Sequence, residues 1–316
     1  MPAQKNIAIG LLMAGLSAGL YAARPQAGRY PPWSRGNDPA RKGFVFRVGP
    51  VDNVPDLHGN PLGAGLVLYV SGNQFMAMPR LIRAFTRLHP RLRDRIFYET
   101  LPPGILLRQI EHNNTLTLGN LTLTTPPDIY EAGLRKIQDQ IRAKRITRYV
   151  TYASNSLEIM VRAGNPLHIR GLRDLGRGRV RVAMPNPAWE GVERQIAAAL
   201  RRAGGKTLLH RIMTTKLRAG STYLTHIHHR QTPLRIMEGR SDAGVTWASE
   251  VKFQEAIGHP IAGVNIPARQ NITATYAAGL MAQAPHPRTA ADWLRFLRTR
   301  AARRIYARYG FGPPQH

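Results

Sequence analysis

Ala274-Thr275-Tyr276-Ala277-Ala278-Gly279-Leu280, then Pro285-His286-Pro287, then the run Thr289 to Tyr309 closed by Gly310 and Phe311, is the stretch that decides the fold. Its first seven residues read as a strand and the prolines as a turn. The remainder reads as a helix with apolar positions Ala290, Trp293, Leu294, Leu297, Ala301, Ile305 and Tyr306 three or four apart. That spacing makes one buried stripe. Arg295, Arg298, Arg300, Arg303 and Arg304 cover the other faces, and Gly310 stands where a helix-terminating glycine belongs. The chain therefore ends in a strand, a turn and an amphipathic helix with one face to bury.

With 316 residues the chain is long enough for two domains, and 43% apolar content is that of a folded protein. It has no cysteine, which excludes disulfides, thiolate-bound zinc and thiol catalysis. Lys5 followed by the apolar run Ile7 to Ala22, with Leu20-Tyr21-Ala22 before Ala23, reads as an export signal over residues 1–23. An uncleaved anchor is the alternative, although the run is shorter than the ~20 residues of a spanning helix. The formal net charge is +27, from 38 Arg and 7 Lys against 18 acids. The arginines are dispersed among apolar positions, as on solvated helix faces, and no nucleic-acid motif accompanies them. The charge is thus read as a surface property, and no specific nucleic-acid partner is expected.

Residues 24–65, rich in Pro, Gly and Arg, read as an N-terminal arm with one strand near Phe44 to Val48. From Leu66 the chain alternates strand, polar turn and helix. Leu66 to Val70 is followed by Ser71-Gly72-Asn73-Gln74 and a helix from Phe75 to Leu88. Ile96 to Glu99 is followed by Thr100 to Gly104 and a helix from Ile105 to Glu111. Further strands are expected at Leu116 to Leu123 and Asp128 to Gly133, with two β patterns between Tyr149 and Arg162. Val180 to Met184 opens a second such series, with a loop from Pro185 to Gly191 and a helix from Val192 to Arg202. Thr232 followed by Pro233 reads as a helix cap and first helical residue. Asp242 to Trp247 and Ile261 to Pro267 are the remaining strands. Alternation of this kind builds parallel sheet.

Five segments then fall in the order found in one family. They are Leu68 to Pro90; Asn155 to Val161 with Gly164-Asn165-Pro166; Asp174 to Met184 with Pro187; Gly239 to Trp247; and the final helix. Across residues 66–311 the chain resembles the periplasmic solute-binding proteins of ABC importers, of the molybdate-binding type. The resemblance implies an α/β, two-lobed type II periplasmic-binding-protein fold, each lobe a mostly parallel sheet flanked by helices. Lobe I would comprise 66–152 and 269–316, and lobe II 153–268. It further implies an extracytoplasmic monomer, not an enzyme and without a cofactor. Such a protein holds a small oxyanion, molybdate or tungstate in kind, between its lobes and delivers it to the importer's membrane subunits. The strands near 149–155 and 266–275 would form the hinge.

Ligands of open α/β sheets lie beyond the carboxyl ends of strands, where helix N-termini offer unpaired N–H groups to an anion. By position, the ligand contacts expected are Ser71, Gly72 and Asn73; Thr100; Asn186, Trp189 and Glu190; His229, Arg230, Gln231 and Thr232; and Trp247. The family often carries serines in the second loop, whereas this chain has Thr100 and two prolines. Other readings of the same residues stay open. His226, His228 and His229 are of the type that ligates Zn, Cu or Ni, on a binding protein for a metal ion or an organic solute. His with Glu also serves acid–base chemistry in an exported enzyme, but no nucleophile motif or cofactor fingerprint accompanies them. Trp189 and Trp247 suit a hydrophobic core as well as a ligand wall. Asn73 and Thr100 suit helix caps. Glu99, Glu131 and Glu190 either orient arginine or are ordinary structural acids.

Overall fold

The computed structural model describes residues 46–47, 55–118, 121–226 and 228–315. The expected signal segment, most of the arm and Ile227 lie outside the described residues. Thirteen described strands are β1 Phe46–Arg47, β2 Pro55–His58, β3 Leu66–Tyr69, β4 Ile96–Glu99, β5 Thr115–Leu118, β6 Leu121–Thr124, β7 Ile129–Gly133, β8 Ile146–Arg162, β9 Val182–Met184, β10 Thr222–Leu224, β11 Ala243–Trp247, β12 Ile261–Asn265 and β13 Thr273–Met281. The principal helices are α1 Met78–Leu88, α2 Pro103–Glu111, α3 Leu134–Arg142, α4 Val192–His210, α5 Gln231–Met237, α6 Ala248–Ala256, α7 Pro287–Leu297 and α8 Arg300–Arg308.

One mixed sheet runs through the molecule in the order β1-β2-β4-β3-β7-β13-β8-β11-β9-β10, with β12 also on β8. The centres of both halves are parallel: β3 with β4 and β7, and β9 with β10 and β11. Strands that pass between the halves pair antiparallel. Two hydrophobic cores flank the first half, one under α1, α7 and α8 and one under α2 and α3. The second half has its own core, built around α4 and strands β9 and β11. These are the two lobes.

β8 joins them. The sequence reads as two β patterns around Ser154-Asn155-Ser156, but the strand is continuous over 17 residues. Its first part pairs with β13 from Ile146↔Met281 to Ser156↔Thr273, and its last part with β11 and β12. Polar residues at the middle keep the extended form because they find partners. Asn155 Nδ2 donates to Ser249 Oγ at 2.8 Å, and Ser154 exchanges backbone hydrogen bonds with Gly312. The hairpin β5–β6 stands apart as a two-stranded sheet where the sequence suggests a single strand.

The final helix is two helices. Thr299 ends α7 and caps α8, its Oγ1 accepting from Ala302 N at 3.2 Å. The break shifts the buried stripe by one residue. Ala302 is buried and Ala301 is exposed, the reverse of the phase carried through from Trp293. Tyr306 thereby reaches the interior, where its hydroxyl donates to Gln74 Oε1 at 2.7 Å. The five arginines expected on the surface of this segment are exposed.

A buried hydrogen-bonded chain ties the end of the protein to its beginning. Trp293 Nε1 and Tyr152 Oη both donate to the Glu131 carboxyl group, at 2.7 and 2.9 Å, and Gln74 Nε2 donates to Tyr152 Oη. Burial pushes Glu131 up to about 7 against those two donors. Glu99, fully buried with one oxygen accepting from Gln109 Nε2 at 3.0 Å, is pushed by burial up to about 8.

Glu99 holds its proton more tightly in the folded chain than at its ordinary value of 4.5. Its contribution to stability is complete below about pH 4.5 and is lost as pH rises through about 8. Glu99→Gln is therefore expected to resist urea better than the parent at pH 8.5, by on the order of 2 kcal/mol, and to match it near pH 4.5. Equal unfolding midpoints at pH 8.5 would contradict the assignment.

Candidate functional site

The cleft between the lobes encloses a cavity of about 800 Å³. From lobe I come Ser71, Gly72 and Asn73, then Pro103 and Gly104 at the start of α2, and the first turn of α3. From lobe II come Pro187 to Gln195, His229 and Trp247, while Thr273 to Tyr276 of β13 close the hinge side. Each loop is where it is because a parallel strand ends there: β3 before Ser71, β4 before Thr100, β7 before α3 and β9 before Pro185.

Of the residues singled out in the sequence, Ser71, Gly72, Asn73, Trp189, Glu190, His229 and Trp247 line this cavity. Ser71 Oγ donates to the Glu131 carbonyl at 2.9 Å, and Asn73 Nδ2 donates to Tyr276 Oη at 2.6 Å. Trp247 is buried, its ring edge-on to Tyr276 with centroids 5.9 Å apart. It serves as core and wall together. Trp189 is half-buried with an indole N–H that has no acceptor.

Thr100, Asn186, Arg230, Gln231 and Thr232 stand behind the lining. Asn186 holds its own loop, its carbonyl accepting from Glu190 N at 2.9 Å and its Oδ1 from Ala188 N at 3.0 Å. Gln231 Oε1 accepts from His226 N at 3.1 Å. Thr232 is not the helix cap. α5 begins at Gln231 with Arg230 in the cap position, and no side chain caps it. Thr232 is buried, packed against β11 so closely that a Cβ on Gly244 would lie 2.3 Å from its methyl. Packing has overruled the capping pattern here.

Arg230 and His228 meet a residue absent from the sequence-based site, Asp56 of β2. Arg230 Nη2 donates to Asp56 Oδ1, His228 Nε2 lies 3.1 Å from the same oxygen, and all three side chains are buried. Arg230 also lies 5.0 Å above the Phe75 ring. Burial alone would raise Asp56, but His228 and Arg230 outweigh it and hold the carboxylate below its ordinary range. Asp56 was hidden because four residues beginning with proline carry no periodicity. The strand exists through pairing with β4, Leu57↔Glu99 and His58↔Tyr98, with Leu57 in the core and His58 stacked on Tyr98.

His229 is held by two carboxylates of its own lobe, Glu190 at 2.7 Å from Nδ1 and Glu250 at 2.9 Å from Nε2. Burial pushes the imidazole down, but Glu190 and Glu250 together outweigh it and hold it at about 10. Glu250, kept below its ordinary value mainly by His229 against the opposing effect of burial, also accepts from Thr246 Oγ1. The deep wall therefore contains three carboxylates against Arg230 and a protonated His229, so it offers no surplus of positive charge. His226 is exposed, beside Tyr223. Among the described residues no group of three or more His, Asp or Glu is arranged to hold a metal ion.

The lobes touch across the cleft. Gly104 N donates to Trp189 O at 3.1 Å, and a Cβ on Gly104 would lie 2.6 Å from that oxygen. A Cβ on Gly72 would lie 3.0 Å from His228 Nδ1. The two loops close because both glycines lack a side chain.

Residues 66–312 match the family described as bacterial extracellular solute-binding protein. The chain belongs to that family. Over 163 residues it is 23% identical to the molybdate-binding protein ModA of Mycobacterium tuberculosis, a match covering 52% of this chain and 56% of the relative. The chain thus spans about half the length of the curated relatives it matches. Its fold is that of the sulfate-binding protein SubI from Mycobacterium tuberculosis, at a TM-score of 0.63 and 19% identity, over 78% of this chain and 86% of that one. It is equally that of the periplasmic molybdate-binding protein of Azotobacter vinelandii, at a TM-score of 0.62 and 14% identity, over 79% and 100%. The type II periplasmic-binding-protein architecture expected from the five segments is the one observed.

Breaking the interlobe pair leaves Arg230 facing lobe I without its carboxylate, a change that costs about 3–5 kcal/mol for buried pairs. Asp56→Ala is expected to enlarge the radius of gyration in X-ray scattering and to lower the melting temperature. Gly104→Val is expected to enlarge it too, with both lobes intact by circular dichroism. A scattering profile unchanged by either substitution would show that closure does not depend on these contacts.

Proposed function

We propose that this solute-binding protein is the monomeric, extracytoplasmic receptor of an ABC importer and captures a small oxyanion between its lobes. The observation that carries the reading is the approach of two helix N-termini, one from each lobe, to one cavity. Gly133 precedes α3 and Gly191 precedes α4, and the first turns of both helices line the space. Unpaired N–H groups at a helix start, with the partial positive charge they carry, attract an anion. Neither helix has a side chain capping it, so those donors face the cavity without a substitute from the protein.

In this reading Ser71, Gly72, Asn73, Trp189, Glu190, His229 and Trp247 shape the floor and walls. Thr100, Asn186, Arg230, Gln231 and Thr232 hold those groups in place from behind. Likeness to molybdate- and sulfate-binding proteins supports an inorganic oxyanion, and membership of the solute-binding family supports delivery to importer membrane subunits. Capture requires no chemistry. The buried carboxylates and imidazole of the site are already engaged with one another, and the arrangement supplies donors, shape and a closing motion.

Calorimetry with molybdate, tungstate, sulfate and phosphate, and separately with Zn, Cu and Ni ions, tests the reading. Heat is expected with an anion. Ser71→Ala and Asn73→Ala should each weaken it by roughly ten- to a hundredfold, the worth of one hydrogen bond to a charged group. Thr232→Ala should change affinity little. Heat with metal ions alone, abolished in His228→Ala, would replace the anion by a cation.

A further inference from the structure

The cavity is far larger than an inorganic oxyanion requires. A water molecule takes roughly 30 Å³ of the liquid, so four oxygens about a central atom account for on the order of 100 Å³. The space here is about 800 Å³, within the range of roughly 300–1,000 Å³ that encloses organic ligands.

Its polarity is graded from one end to the other. The floor is buried and uncharged where it faces the space: Ser71, Asn73, Trp247 and Tyr276. The charges beside it, on Glu190 and His229, neutralise one another. The mouth carries three cations, Arg135 and Lys136 from the first turn of α3 and Arg194 from the first turn of α4, two of them exposed and Lys136 half-buried, together with two carboxylates, Asp139 and the half-buried Glu193. Among the described residues no carboxylate lies within ion-pair distance of any of the three cations. Asp139, the acid nearest in sequence to Lys136, is taken by Arg142. Cations in the first turn of a helix oppose its dipole; in α3 no acid accompanies Arg135 and Lys136 there, whereas in α4 Glu193 offsets Arg194. Burial depresses Lys136, and Arg194 acts on it in the same direction from the opposite lobe, against the pull of Asp139 and Glu111. With Asp139 taken by Arg142, the three cations of the mouth outnumber Glu193 and leave a positive surplus there for an anion.

We infer that the ligand is an organic anion, a carboxylate or phosphate monoester, whose charged end is clamped at the mouth between Arg135 and Lys136 of one lobe and Arg194 of the other. Its uncharged body extends inward over Trp189, Trp247 and Tyr276, within reach of Ser71 and Asn73. This deepens the anion-binding reading and rests on it. The body supplies apolar and aromatic contact that an inorganic ion lacks, and the charged end neutralises the positive surplus of the mouth. Selection between an inorganic ion and an organic anion then lies with the aromatic floor, since both kinds present the same charge to the mouth.

The test measures binding of phenyl phosphate and benzoate against inorganic phosphate and molybdate, by calorimetry on the full chain and on the double variant Lys136→Gln with Arg194→Gln. One of the two organic probes is expected to bind at least tenfold tighter than either inorganic ion. The double variant should weaken that probe by about tenfold to a hundredfold, as for loss of hydrogen bonds to a charged group, with an unchanged circular dichroism spectrum. Tighter binding of phosphate or molybdate than of both organic probes would overturn the inference while leaving the anion reading in place. Organic binding that the double variant does not weaken would overturn it as well. Failure of all four anions to bind would remove the anion reading itself, and the inference with it.

Discussion

The two lobes share a sheet because one strand belongs to both. Ile146–Arg162 is paired along its length, first with β13 and then with β11 and β12, so no break in the backbone ladder separates the halves. Every other element is placed relative to that strand. The cavity forms where the loops following β3, β4 and β7 on one side meet those following β9 and β10 on the other. A shared, hydrogen-bonded strand pair yields by twisting more readily than by separating, since twist is intrinsic to strands and leaves the ladder intact.

What holds the cleft closed is a small set of contacts that cross it. The Asp56 carboxylate against Arg230 and His228 is the strongest of them, reinforced by Phe75 beneath the guanidinium and by the Gly104–Trp189 backbone hydrogen bond. In the low-dielectric interior an ion pair of this kind is worth little against an apolar substitute, but losing one member is costly. It makes the closed geometry specific. The carboxylate of Asp56 satisfies Arg230, the cation that its place in the sequence offers to a solute. Net charge of +27 thus says little about the site. The surface carries most of it, while the interior of the cleft balances its own acids and bases.

Much of the architecture was legible in the amino-acid sequence. Periodicity located α1, α4, β4, β11 and β13 close to where they lie, because each buries one face or lies in a sheet covered on both sides. Seven of the residues chosen for the site line the cavity because a loop after a parallel strand is a topological position, readable from the order of strands and helices. Where local rules met tertiary packing, packing prevailed. Thr232 with Pro233 is a sound capping signal, yet Gly244 leaves room for the threonine methyl against β11 and the helix starts earlier. Thr299 looks like one polar residue in a long helix, yet it ends one helix and caps the next, so that Ala302 and not Ala301 turns inward.

Sequence by itself determined the family, many of the strands and helices in their order, and most of the loops from which a site had to be built, because these follow from hydrophobic spacing and from turns, both local. Tertiary structure alone decided which charges pair with one another across the cleft. Asp56 lies 174 residues from Arg230, and Lys136 and Arg194 belong to opposite lobes. Electrostatic energy depends on distance in space and on burial, and neither is written in the spacing of residues along a chain.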